Sequence, residues 1–162
     1  MNDSENKEKI MNKRYMVILL CTIFSIGVIA SSFAQPGMMR KGSEGWGAGS
    51  KYGRMYEVKT VGTISGEVVS VEKIKPMSGM SYGIHLKVKT AQETVTVHLG
   101  PSWYMEKQDI KIEAKDRIEV TGSRITFNGG PAVIAAKIVK GNDVLLLRDE
   151  AGIPFWSGWR RR

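Results

Sequence analysis

Two histidines, His85 and His98, are the only imidazoles in a chain of 162 residues. Imidazole is the side chain that most readily binds transition metals and exchanges protons near neutral pH. Both lie in runs of alternating residues. In Tyr82 to Thr90, Ile84, Leu86 and Val88 share one face, and His85, Lys87 and Lys89 share the other. In Glu93 to Leu99, Val95, Val97 and Leu99 alternate with Thr94, Thr96 and His98. A turn at Ala91 and Gln92 pairs Val88 with Val95, Leu86 with Val97 and Ile84 with Leu99. A slip of one residue breaks all three pairs. The same register sets His85 across from His98, with Cβ atoms about 4.5–5.5 Å apart. Two imidazoles at that spacing can share Zn2+, Cu2+ or Ni2+. They do not complete a site, and the third ligand must be a carboxylate or a loop residue. The competing reading is two surface histidines that share a polar face by alternation. The cofactor expectation is therefore none, beyond a weakly bound divalent metal.

Aromatic residues form the second group with chemistry to offer. Trp46 and Tyr52 lie in a stretch rich in Gly, Met and Ser. Trp103 and Tyr104 follow the third apolar run, and Trp159 precedes Arg160, Arg161 and Arg162. Exposed, these residues would make a surface for a ligand or partner, with the arginines suited to an anion, nucleic acid or lipid. Buried, Trp46 and Tyr52 would cover an edge strand, Trp103 would plug a barrel end, and Phe155 and Trp156 would latch the tail. Met38, Met39, Met55, Met77 and Met80 raise a Cu(I) site, but their spacing is irregular and argues for ordinary packing.

Several chemistries have no residues to carry them. The one cysteine, Cys21, lies in an apolar run near the N-terminus, so the remainder has no thiol nucleophile, disulfide or Cys metal site. No G-x-S-x-G, H-E-x-x-H, phosphate-binding loop or G-x-G-x-x-G occurs. No pair of carboxylates stands out as acid and base. The chain reads as a non-enzyme.

The elements that position these residues fill Thr60 to Arg148. Strands are expected over Val61–Lys73, Tyr82–Thr90 and Glu93–Leu99, the first changing face near Gly66. Gly100-Pro101 breaks the third, and Ser102 caps a helical turn over Trp103–Gln108. A fourth strand enters at Ile118 and shifts parity past Gly122, as a bulge does. Asn128-Gly129 marks a hairpin into a fifth strand, Ala132–Val139, and Val144–Arg148 makes a short sixth. The order β-β-β-α-β-β is that of an OB-fold, a small Greek-key barrel. The fold class is all-β, a five- to six-stranded OB-like barrel with one short helix between strands 3 and 4.

Residues 1–34 read as a secretory signal peptide. Lys13 and Arg14 precede the apolar run Tyr15 to Ala30, and Ser32 and Ala34 supply small residues for cleavage. The run is shorter than the roughly 20 residues a membrane span needs. Residues 35–59 have no persistent period and read as a flexible or loosely docked arm. Residues 60–148 form the barrel and 149–162 an aromatic, Arg-ended tail. The formal net charge of +8 is scattered along strands, with Arg160 to Arg162 the single block. Such a charge suits an anionic partner or an ordinary basic surface. The expected location is periplasmic or secreted, with no stable membrane anchor after cleavage.

The segments TISGEVVSV, VHLGPSWY, IEVTGSRITFNG and LRDEAGIPFWSGWRRR resemble small exported bacterial OB-fold proteins. They are similar to the bacterial OB-fold stress-protein group and to OB-fold proteins of magnetosome and multihaem-cytochrome gene neighbourhoods. The resemblance spans about Thr60 to Arg162. It implies export and a barrel without agreed catalytic residues. The reading is a binding or accessory protein for a cation, a small ligand or an envelope redox partner. The alternatives are a nucleic-acid-binding barrel, disfavoured by export, and a module that docks on a cytochrome or membrane complex.

Overall fold

The computed structural model describes residues 43–158. The signal-peptide expectation and the Trp159–Arg162 tail lie outside the described residues. Six strands are present: β1 (Val61–Ile74), β2 (Gly83–Lys89), β3 (Thr94–Pro101), β4 (Arg117–Phe127), β5 (Gly130–Lys140) and β6 (Asp143–Leu146). One helical turn, α1 (Ser102–Met105), stands between β3 and β4. Neighbouring strands run in the order β3-β2-β1-β4-β5-β6. All neighbours are antiparallel, and a parallel pairing of β3 with β5 closes the first five into a barrel. This is the OB-like architecture that the strand order predicts.

The alternation of the strands fills the interior. Ile64, Val68, Leu86, Val88, Val97 and Val120 are each 7% exposed or less, while their neighbours Ser65, Val69, Lys87, Lys89 and Glu119 face outward. The β2–β3 register pairs His85 with His98, Leu86 with Val97 and Val88 with Val95, as expected. It then departs from expectation. Ile84 pairs with Gly100 rather than Leu99, because Leu99 is the extra residue of a bulge. Gly100-Pro101 does not break β3 either: Pro101 pairs with Gly83, and the Ser102 N–H donates to the Tyr82 carbonyl.

Other boundaries shift for local reasons. The irregularity of β1 falls between Val68 and Ser70 rather than at Gly66. Gly66 instead admits the close approach of Val88 and the Lys89 backbone. Helix α1 is one turn, not Trp103–Gln108, and its N-cap is Pro101, with Ser102 inside it. Beyond it, Lys107 N–H bonds Tyr104 and Gln108 N–H bonds Met105, the tighter three-residue spacing that ends a helix. Asn128 and Gly129 turn the β4–β5 hairpin with φ of 50° and 81°. Arg148 lies beyond β6 and bridges back to Pro154.

The β4–β5 register does shift, between Thr121 and Gly122, but the extra residue is Ala136 of β5 rather than one of β4: Thr121 pairs with Lys137 and Gly122 with Ala135. A Cβ at Gly122 would strike the Ile134 carbonyl and come within 2.8 Å of Val133 Cγ1. Gly122→Ala is therefore expected to destabilise the barrel by about 1–3 kcal/mol, the usual range for overpacking a filled core. A lowered urea midpoint with an unchanged slope would establish it, and an unchanged midpoint would refute it.

Candidate functional site

β2 carries His85 and β3 carries His98, and the register sets the two rings face to face. Their centroids are 3.9 Å apart and their planes 20° from parallel. Alternation turns both away from Leu86 and Val97, toward the outside of the barrel. Both are nevertheless only 1% exposed, because the preceding arm covers them. Tyr52 Oη lies 2.7 Å from His98 Nδ1. Its ring runs nearly parallel to His98 with centroids 5.9 Å apart. Trp46 meets Tyr52 edge-on at 5.0 Å, and Phe127 meets His98 edge-on at 4.8 Å.

Two glycines make this cover possible. A Cβ at Gly83 would collide with the Trp46 ring, and one at Gly100 would stand 2.8 Å from Trp156. The two indoles thus lie directly on bare strand backbone. Trp156 Nε1 donates to the Trp46 carbonyl at 2.9 Å, and Trp46 Nε1 donates to the Ser81 carbonyl at 3.2 Å. Arg148 joins them from the chain's return after β6. It donates to the Ala135 carbonyl at 3.0 Å and lies 4.7 Å from the Trp156 ring centroid and 5.6 Å from that of Tyr56. The arm and the C-terminal return thereby hold each other across β2 and β3.

Burial sets the electrostatics. It pushes His85 down to about 4, with the Glu72 charge opposing. It pushes His98 down to about 3, helped by His85 and Arg148. Both rings are neutral at neutral pH. Burial also raises the Tyr52 phenol well above its ordinary value, against the pull of Arg148. Arg148 is drawn down to about 10 by burial, opposed by Tyr52 and Tyr56, and stays charged at neutral pH. Three imidazole nitrogens have no hydrogen-bond partner: Nδ1 and Nε2 of His85 and Nε2 of His98.

What the pair can do follows from ring geometry. Imidazole lone pairs lie in the ring plane. In nearly parallel stacked rings they run side by side and do not converge, so a shared ion requires one ring to turn. Among the described residues no cluster of three His, Cys, Asp or Glu side chains forms a metal-holding group. The carboxylate across the strand from His85 is Glu72. It is already engaged by Lys87 at 3.1 Å and Ser70 at 2.9 Å, which hold it below the usual carboxylate range.

The other expected residues separate. Trp46 and Tyr52 are each 1% exposed, so they are core and not a partner surface, and the described part of the arm is docked. Tyr104 is buried as well and packs against Trp156 at 5.3 Å. Trp103 is half-buried, so the aromatic set most deeply at that end is Tyr104. Met80 is core. Arg148, Phe127, Gly83 and Gly100 were not anticipated as parts of the site. The one available signal was Gly83 and Gly100 flanking the histidine strands, which glycine in a strand interior marks as a place of close approach. Open surface remains in a groove of about 390 Å3 whose floor includes Leu86, Leu99, Ile110 and Ile112.

The two depressed histidines make stability depend on pH. Between their ordinary value of 6.5 and their folded values of about 4 and 3, the unfolded chain binds more protons than the folded one. Stability is therefore full above 6.5 and falls as pH drops through that window. Urea midpoints measured across it are expected to decline, and His85→Phe is expected to flatten the decline. In metal-free buffer that variant should lose no stability at neutral pH, since both of its replaced nitrogens lack partners. A flat profile in the parent protein would contradict the buried neutral pair.

No curated protein gives a significant match. The family model of MamS/MamX magnetosome proteins matches residues 60–145, more than half of the chain and all but one residue of the six strands. The match contains both histidines and ends short of the Arg148 return. The chain belongs to the MamS/MamX magnetosome protein family.

Proposed function

We propose that this protein is an exported, non-catalytic binding or accessory barrel, and that the ligand it handles is a cation held at His85 and His98. The observation that carries this reading is the set of three buried imidazole nitrogens without partners. Leaving a buried polar atom unsatisfied costs about 1–3 kcal/mol. A phenylalanine would fill the same space without that cost, and a bound ion would remove it. Neutral imidazole is also the ligating form.

The kinship we infer is with OB-fold proteins, the bacterial OB-fold stress-protein group included. The leader-like N-terminus supports a periplasmic or secreted location. The partner would be an envelope protein, with a redox carrier in first place, or a small ligand. OB barrels receive oligonucleotides on the face of strands 2 and 3. Here that face carries the chain's own Trp46 and Tyr52, which supports placing nucleic acid second. A docking module is favoured by a different observation. Val144, Leu146, Ile153 and Phe155 are each 46–53% exposed on β6 and the return that follows it.

Calorimetry at neutral pH with Zn2+, Cu2+ or Ni2+ tests the cation reading. The parent protein is expected to bind with modest affinity, and His85→Ala and His98→Ala to bind far more weakly. Equal binding by all three, or none by the parent, would sink it. A salt titration with single-stranded DNA tests the alternative. It is expected to show no binding that strengthens as salt falls, the mark of released counterions.

A further inference from the structure

We propose that Tyr52 is the positioning residue of this cation site: its hydroxyl fixes the His98 ring so that Nε2 is the ligating atom, while His85, which has no hydrogen bond to break, turns to meet the ion. The inference rests on the cation reading and adds a residue and an order of events to it.

The two rings differ in how they are held. His98 has one hydrogen bond, between Nδ1 and Tyr52 Oη at 2.7 Å, and Phe127 lies edge-on beside it. His85 has no hydrogen bond at either nitrogen. The stacked rings offer lone pairs side by side, so one must rotate about its Cβ–Cγ bond before both can reach one ion. His85 can do so without breaking a hydrogen bond, and His98 cannot.

A metal-bound histidine almost always donates its other ring N–H to an oxygen, which fixes tautomer and orientation. Tyr52 Oη is that oxygen for His98. Without metal, the phenol O–H donates to Nδ1 and the ring proton sits on Nε2. With metal on Nε2, that proton moves to Nδ1, and the hydroxyl turns from donor to acceptor. The ring gains and loses no proton overall, and Tyr52 stays a neutral phenol. A hydroxyl can play both parts, whereas a phenylalanine can play neither. Borderline divalent ions that take imidazole nitrogen are the matching class. Two ligands leave the other positions to water or to a donor from a partner. Arg148 acts on both Tyr52 and His98 and works against a dication, and Glu72 acts on His85 and favours it.

Tyr52→Phe keeps the ring and removes the hydroxyl, so it isolates this role. Near-UV circular dichroism first checks that the variant keeps the parent's packing. Titrated with Zn2+ alone, it is expected to bind about 10–100-fold more weakly than the parent, the usual effect of losing such an outer partner. Nitrogen NMR of the parent is expected to show the His98 proton on Nε2 without zinc and on Nδ1 with it. Equal zinc affinity in the two proteins overturns the role of Tyr52 and leaves the cation reading intact. A proton that stays on Nε2 in the zinc-loaded parent overturns it even if the variant fails to fold. Absence of zinc binding by the parent removes both.

Discussion

Two indoles lying on bare backbone are the contact on which the rest of this structure depends. Trp46 lies on Gly83 and Trp156 on Gly100, at neighbouring positions of β2 and β3. Each ring is 1% exposed, and the hydrogen bond from Trp156 to the Trp46 carbonyl joins the two ends of the described chain. A side chain at either glycine would lift the ring from the strand. With Trp46 lifted, Tyr52 keeps Phe127 but loses the nearer of its two edge-on neighbours, and the cover over His85 and His98 is weakened. Sealing a polar pair on the outer face of a sheet thus requires two absent Cβ atoms as much as two large aromatics.

Much of the barrel could be read from alternation, because alternation is a property of single strands. The β2–β3 register needed only the six apolar residues from Ile84 to Leu99, and two of the three pairs the pattern gives them are formed. The bulge at Leu99 did not follow, since nothing in the residues themselves distinguishes a glycine that ends a strand from one that admits an indole. The histidine pairing was legible for the same reason as the register. Its burial was not. Burial comes from Tyr52 and the Trp46 packed on it, which lie about 40 residues upstream in a stretch without periodicity, and from Phe127, which lies on another strand downstream. Local patterns carry no information about which distant segment lies over a given face, so the described part of an arm that reads as loose proves to be part of the core.

Arg148 shows the same limit from the side of charge. In sequence it ends the apolar run Val144–Arg148 read as the sixth strand, and nothing there marks it as a core residue. In the structure it is 6% exposed and has aromatic faces rather than a carboxylate beside it. A guanidinium tolerates this because it is planar, weakly hydrated and able to stack. It donates to the Ala135 carbonyl beside the β4–β5 register shift. Its charge then reaches the interior, where it raises the cost of protonating His98 and eases ionisation of Tyr52.

These effects pull a cation site in opposite directions, and their balance can be argued. Burial keeps both imidazoles unprotonated down to about pH 4, so protons scarcely compete for their lone pairs. The same burial removes water that would stabilise an arriving dication, and Arg148 adds repulsion. Desolvating an isolated ion costs several kcal/mol even after the surroundings relax, whereas each freed lone pair contributes one coordinate bond. With only two imidazoles to offer, the second effect offsets the first without greatly exceeding it. An ion held on such terms is bound loosely and released readily, and donors from outside the chain would tighten it. On the cation reading proposed above, that behaviour suits a protein that passes a cation on better than one that stores it.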